Sequence, residues 1–187
     1  KSIIKMTANK PALITVNSTS IPGTPSSDSS SSDITMASNI TMQGMTVQTT
    51  ATGAASANVI SSDADPDTAH GLILQSCKDS TFEDIAFLGT WVNGAVNADD
   101  NAVTMNNESG SIATDNNKFI NCKFEGYGSA VRSNWDADDN RFTGCKFTTL
   151  GQGVVFGETM TLGNIASGQN KGPSANVIEN SLFNDIH

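Results

Sequence analysis

Two short acidic stretches hold the residues best suited to chemistry. In "WDADDNR", Trp135 stands beside Asp136, and Asp138, Asp139 and Arg141 follow; "NADDNA" carries Asp99 and Asp100. Hydrolysis of a glycosidic bond needs two carboxyl groups at a defined separation, one protonating the leaving oxygen and the other attacking or activating water. A Trp next to a carboxylate also offers a face on which a sugar ring can stack. Trp135, Asp136, Asp99 and Asp100 are therefore the candidate carbohydrate-binding residues, and no residue is assigned as catalytic. Asp138 and Asp139 have a plainer explanation. They align with Asp115 and Asn116 of a repeated motif, at a corner where Asp and Asn suit the turn.

Other groups carry less. "DADPD" alternates Asp63, Asp65 and Asp67, but the Ca²⁺ loop it brings to mind needs Gly at position 6 and Glu at position 12, and Thr68 and Leu74 stand there. It reads as a solvated acidic turn, so no metal and no cofactor are expected. His70 and His187 are isolated, and no HExxH, CxxC, GxSxG or phosphate-binding Gly loop occurs. The three cysteines, Cys77, Cys122 and Cys145, are an odd number and do not suggest a disulfide framework.

The elements that would position these residues show in a repetition. "NNKFINCKF" is followed 23 residues later by "DNRFTGCKF". Both fit aromatic-x-x-small-x-aromatic: Phe119, Cys122, Phe124 and then Phe142, Cys145, Phe147. The same template takes in Phe82, Ile85, Phe87; Ile178, Ser181, Phe183; and, less closely, Met42, Met45, Val47. The five starts are separated by 40, 37, 23 and 36 residues. A fixed unit with insertions of variable length is the mark of a solenoid. The last step of two is a strand alternation, and the first step of three requires a turn or bulge at Asn121 or Gly144. Long stretches of helical period are missing.

Stacking such units predicts three internal columns: Phe82, Phe119, Phe142, Ile178; Ile85, Cys122, Cys145, Ser181; and Phe87, Phe124, Phe147, Phe183. Cysteines in such a column act as small apolar filler, not as nucleophiles. Asn117, Asn140 and Asn176, with Ser80 in the same slot, form a corner column whose amides can bond from unit to unit and whose backbone suits a tight corner. Ala130-Val131 and Val154-Val155 make a second short strand, with Leu72–Leu74 and Ala102–Met105 as candidates for a third. Inserts are expected between the second strand and the next Asn corner, as in 156–175.

The formal net charge is −9, with only 10 Lys and Arg. Phosphate backbones and anionic lipid both need clustered cations, so neither nucleic acid nor a membrane surface is an expected partner. No apolar run is long enough for a membrane-spanning helix. The chain starts at Lys1 and stops inside a copy of the template, which suggests a piece of a longer polypeptide truncated at the C-terminus. "SIIKM" and "PALITVNST" read as edge strands or a preceding module, and "PGTPSSDSSSSD" as an exposed polar loop. Two blocks result: 1–35, strands plus loop, and 36–187, the repeats.

The repeated Asn-x-Phe-x-x-Cys-x-Phe with its Gly turns resembles the right-handed parallel β-helix family. That family includes pectate-lyase-like enzymes and the shafts of bacteriophage tailspikes and tail fibres. The resemblance covers roughly residues 36 to 187. It implies an all-β fold of about five coils with loop insertions, forming a rigid rod whose loops bind a receptor or partner. The Ser/Thr/Asn/Gly-rich, Lys-poor composition is more similar to a phage virion protein than to a secreted lyase. By resemblance the chain would be extracellular or part of a virion, a homotrimer, in contact with other virion proteins and with cell-surface polysaccharide. The alternatives are a polysaccharide depolymerase, hydrolase or lyase, on the same scaffold, and a bacterial surface adhesin.

Overall fold

Apolar residues at i, i+3 and i+5 cannot share one face of a flat strand, because successive side chains alternate. One residue in each unit must leave the strand. In the computed structural model these are Gly44, Asp84, Asn121, Gly144 and Asn180, with φ between 51° and 69°. Gly, Asn and Asp tolerate this left-handed backbone best. The extra residue turns the chain, so that i and i+3 both point inward from two strands lying on either side of a corner.

The structure describes residues 2–6, 13–15, 37–49, 71–75, 77–91, 101–106, 114–133, 137–156 and 173–187. They form β1 (Ser2–Met6), β2 (Leu13–Thr15), β3 (Ala37–Ser38), β4 (Thr41–Gln43), β5 (Met45–Thr49), β6 (Leu72–Gln75), β7 (Cys77–Lys78) and β8 (Thr81–Glu83). There follow β9 (Ala86–Leu88), β10 (Asn101–Asn106), β11 (Lys118–Ile120), β12 (Lys123–Ser133), β13 (Arg141–Thr143), β14 (Lys146–Phe156), β15 (Val177–Glu179) and β16 (Leu182–Ile186). The described residues are all-β. Every strand pair among them is parallel.

Each template contributes one strand to a five-stranded sheet, in the order β15-β13-β11-β8-β4, and one to a nine-stranded sheet. Phe82 pairs with Met42 and Phe119, Phe119 with Phe142, and Phe142 with Ile178. In the larger sheet Val47, Phe87, Phe124, Phe147 and Phe183 are in register. The rings stack face to face at 4.4–5.2 Å along both columns. That distance is close to the spacing of neighbouring strands, about 4.8 Å. Val47, Phe82, Phe87, Phe119, Phe124, Phe142 and Phe147 are all fully buried. Ile178 and Phe183 keep their register positions but are 37% and 45% exposed, since β15 and β16 are edge strands. Leu182 and Ile186 are exposed beside them.

Two sequence expectations need correction. Leu72–Leu74 and Ala102–Met105 are not a third strand. β6 and β10 align with one another and with Val131–Ser133 of β12, the position assigned to the second. β12 and β14 are each one continuous 11-residue strand through both halves, with a kink at Gly126 (φ 72°) and Thr149 (φ 53°). The long segments 50–70 and 92–100 fall where that strand is interrupted, between β5 and β6 and between β9 and β10. They do not fall after the second strand as expected; 157–172 does. The N-terminal strands join the same sheet as the repeats, β1 beside β5 and β2 beside β6.

Candidate functional site

Trp135, Asp136, Asp99 and Asp100 lie outside the described residues, as do Asp63, Asp65, Asp67, His70 and the segment 22–33. Asp138 and Asp139 are described. The corner before each template has its own left-handed residue: Asn39, Asp79, Asn116, Asp139 and Ala175, with φ between 52° and 57°. The aspartate one position earlier is used structurally. Asp115 accepts the backbone N–H of Asp138, and Asp138 accepts that of Ser174. These carboxylates cap the next unit's backbone.

The positive φ therefore belongs to the residue before Asn117, Asn140 and Asn176, not to those asparagines. Their side chains turn inward and make a continuous ladder. Ile40 N–H donates to Ser80 Oγ, Ser80 N–H to Asn117 Oδ1, Asn117 N–H to Asn140 Oδ1, and Asn140 N–H to Asn176 Oδ1, at 3.0–3.2 Å. The amide Nδ2 groups donate to the carbonyls of Cys77, Thr114 and Ala137. Ser80, Asn117 and Asn140 are buried, so each rung satisfies groups that water cannot reach.

Cys77, Cys122 and Cys145 are buried, and none of them is in a disulfide. Cys122 Sγ donates to Phe82 O at 3.3 Å and Cys145 Sγ to Phe119 O at 3.4 Å. The hydrogen bond with the Cys145 thiol and burial push the Cys122 thiol up, away from thiolate chemistry.

The surface is more varied. At the edge of the larger sheet, Asp185 accepts from Thr149 Oγ1 at 2.9 Å and meets His187 Nε2 at 2.8 Å; these bonds lower its carboxyl. A Thr–Asp–His order lacks the nucleophile-to-imidazole contact that a relay needs. On the five-stranded sheet, Glu179 accepts from Arg141 at 2.9 Å and from Thr143 at 3.0 Å, and its carboxyl is lowered likewise. Beside this pair runs an open groove of about 560 Å³, lined by three corner residues, Asn116, Asp139 and Ala175, and three strand residues, Lys118, Arg141 and Val177.

Compared with protein-family models, with curated proteins and with solved structures, the chain matches none of them. What the site can do rests on its own geometry.

Among the described residues no cluster of His, Cys, Asp and Glu is placed to hold a metal ion. The groove is the feature that the sequence reading missed. Its signal was present: the doubled motif puts a cation directly before each aromatic, Lys118 and Arg141, where other copies have Thr41, Thr81 and Val177.

Proposed function

We propose that the chain is a segment of a right-handed parallel β-helix acting as a stiff structural rod. Its setting would be a virion appendage such as a phage tail fibre or tailspike, trimeric in the assembled particle. One observation carries this reading: the aromatic columns of five successive units are held in parallel register. Each unit adds the same pair of template strands, and the last four add a Ser or Asn rung at the corner, so stiffness comes from repetition, and contacts run mainly to neighbouring units. Right-handedness is supported by the strong preference of parallel strand connections for that hand. The virion setting and the trimer rest on the family resemblance of the repeats. Receptor or partner contact then falls to what does not repeat, the long segments between strands.

Two measurements test this. Deleting residues 118–140 removes one 23-residue unit and joins Asn117 to Arg141, restoring the template. In a β-helix the shortened chain is expected to keep its β circular dichroism and a cooperative melt; an unfolded product would overturn the architecture. Incubated with bacterial surface polysaccharide, the intact chain is expected to release no new reducing ends. Release that disappears in Asp136→Asn would replace the structural role with a depolymerase.

A further inference from the structure

Lys118 and Arg141 are directly opposite each other on neighbouring parallel strands. Like charges in that position repel and weaken a sheet. The chain has 10 cations against 19 acidic residues, so adjacent cations are not a by-product of a basic surface. Arg141 is partly neutralised by Glu179 on the side away from the corner. Lys118 has no ion-pair partner among the described residues, and its side chain is exposed. The groove they share is not purely cationic. Asp139 contributes a carboxylate that has no side-chain partner among the described residues, and Asn116 contributes the oxygen of an amide whose Nδ2 is already bound to Asp79 at 2.7 Å. Ala175 and Val177 give it an apolar end.

We propose that this groove binds an acidic sugar residue, holding its carboxylate between Lys118 and Arg141 and its hydroxyls against Asp139 and Asn116. Strand spacing sets the two cations about 4.8 Å apart at the backbone, within reach of the two oxygens of a single carboxylate. Asp139 disfavours a multiply charged group such as a phosphate monoester. As an acceptor it suits the hydroxyl donors that a sugar ring carries beside its carboxylate. The apolar end at Ala175 and Val177 receives a C–H face of the ring. The groove is built entirely from three neighbouring strands of one sheet and the corners before them.

The test is titration of the intact chain with a glucuronate-containing tetrasaccharide, followed by calorimetry or NMR, with the carboxyl-reduced tetrasaccharide as the neutral comparison. The acidic probe is expected to bind and the reduced one to bind much more weakly. The double variant Lys118→Gln/Arg141→Gln is expected to lose about ten- to a hundredfold in affinity, equivalent to one or two charge-assisted hydrogen bonds. Both side chains are exposed, so the variant should melt like the parent; if it does not, Lys118→Gln alone, which leaves the Arg141–Glu179 pair intact, gives the same reading. Equal binding of both probes, undiminished binding by the variants, or no binding of the acidic probe at millimolar concentration would overturn the assignment.

Discussion

Cys122→Asp is expected to abolish folding. Cys122 is 1% exposed and follows Ile85 and precedes Cys145 in the inward column. Its Sγ lies 3.3 Å from the carbonyl oxygen of Phe82 and 3.5 Å from that of Ile120, and its single proton can serve one of them. A carboxylate there would face two carbonyl acceptors in a site closed to water. Burying an uncompensated charge costs several kcal/mol even after a rise in its pKa. That is comparable to the whole stability of a domain, about 5–15 kcal/mol. Circular dichroism and soluble yield should both collapse, whereas Cys122→Ala, which loses only a small volume, should remain folded. A Cys122→Asp chain that melts at the parental temperature would contradict the inward assignment of the column.

The second large effect is expected at Phe119. Its ring lies between Phe82 at 4.8 Å and Phe142 at 4.7 Å and tilts against Phe124 at 6.3 Å. Phe119→Ala leaves a cavity walled by rings that are each tied to their own strand and cannot collapse into it. The cost should be about 3–5 kcal/mol. At about 2–4 °C per kcal/mol for a chain of this size, thermal unfolding should fall by roughly 6–20 °C. Phe183→Ala makes the comparison. That ring stacks on Phe147 at 4.4 Å but, among the described residues, has a ring neighbour on one side only, and it is 45% exposed. It should cost markedly less, and an equal loss at both positions would argue against a stacked column.

These predictions rest on features the sequence carries openly. The aromatic-x-x-small-x-aromatic template is local: six residues fix which side chains point inward and where one residue must leave the strand. Asn121 and Gly144 could be located as turn residues for that reason. The corner asparagines were harder. In "DNNKF" and "DDNRF" two adjacent polar residues could each take the left-handed backbone, and composition does not decide between them. The structure gives the turn to Asn116 and Asp139 and turns Asn117 and Asn140 inward, because an inward amide can meet the backbone of the preceding unit with both its oxygen and its nitrogen.

The path of the longer units was not legible. Leu72–Leu74 and Val131–Ser133 share a register position although nearly 60 residues separate them. In the units that start at Phe119 and Phe142 the same path is an unbroken strand, while in the two before them a long segment interrupts it. Pattern within a window shows that such a run is a strand, but not which strand it sits beside.

The sequence by itself therefore determined the inward columns and the turns between them, because side-chain alternation and backbone preference act over a few residues. Tertiary structure alone decided what stands side by side on the outside. Lys118 meets Arg141, and Asn116 and Asp139 flank them, only because parallel strands 23 residues apart stack in register. An outward-facing position has no packing to declare its neighbours in advance; register supplies them once the core has fixed how one unit lies on the next.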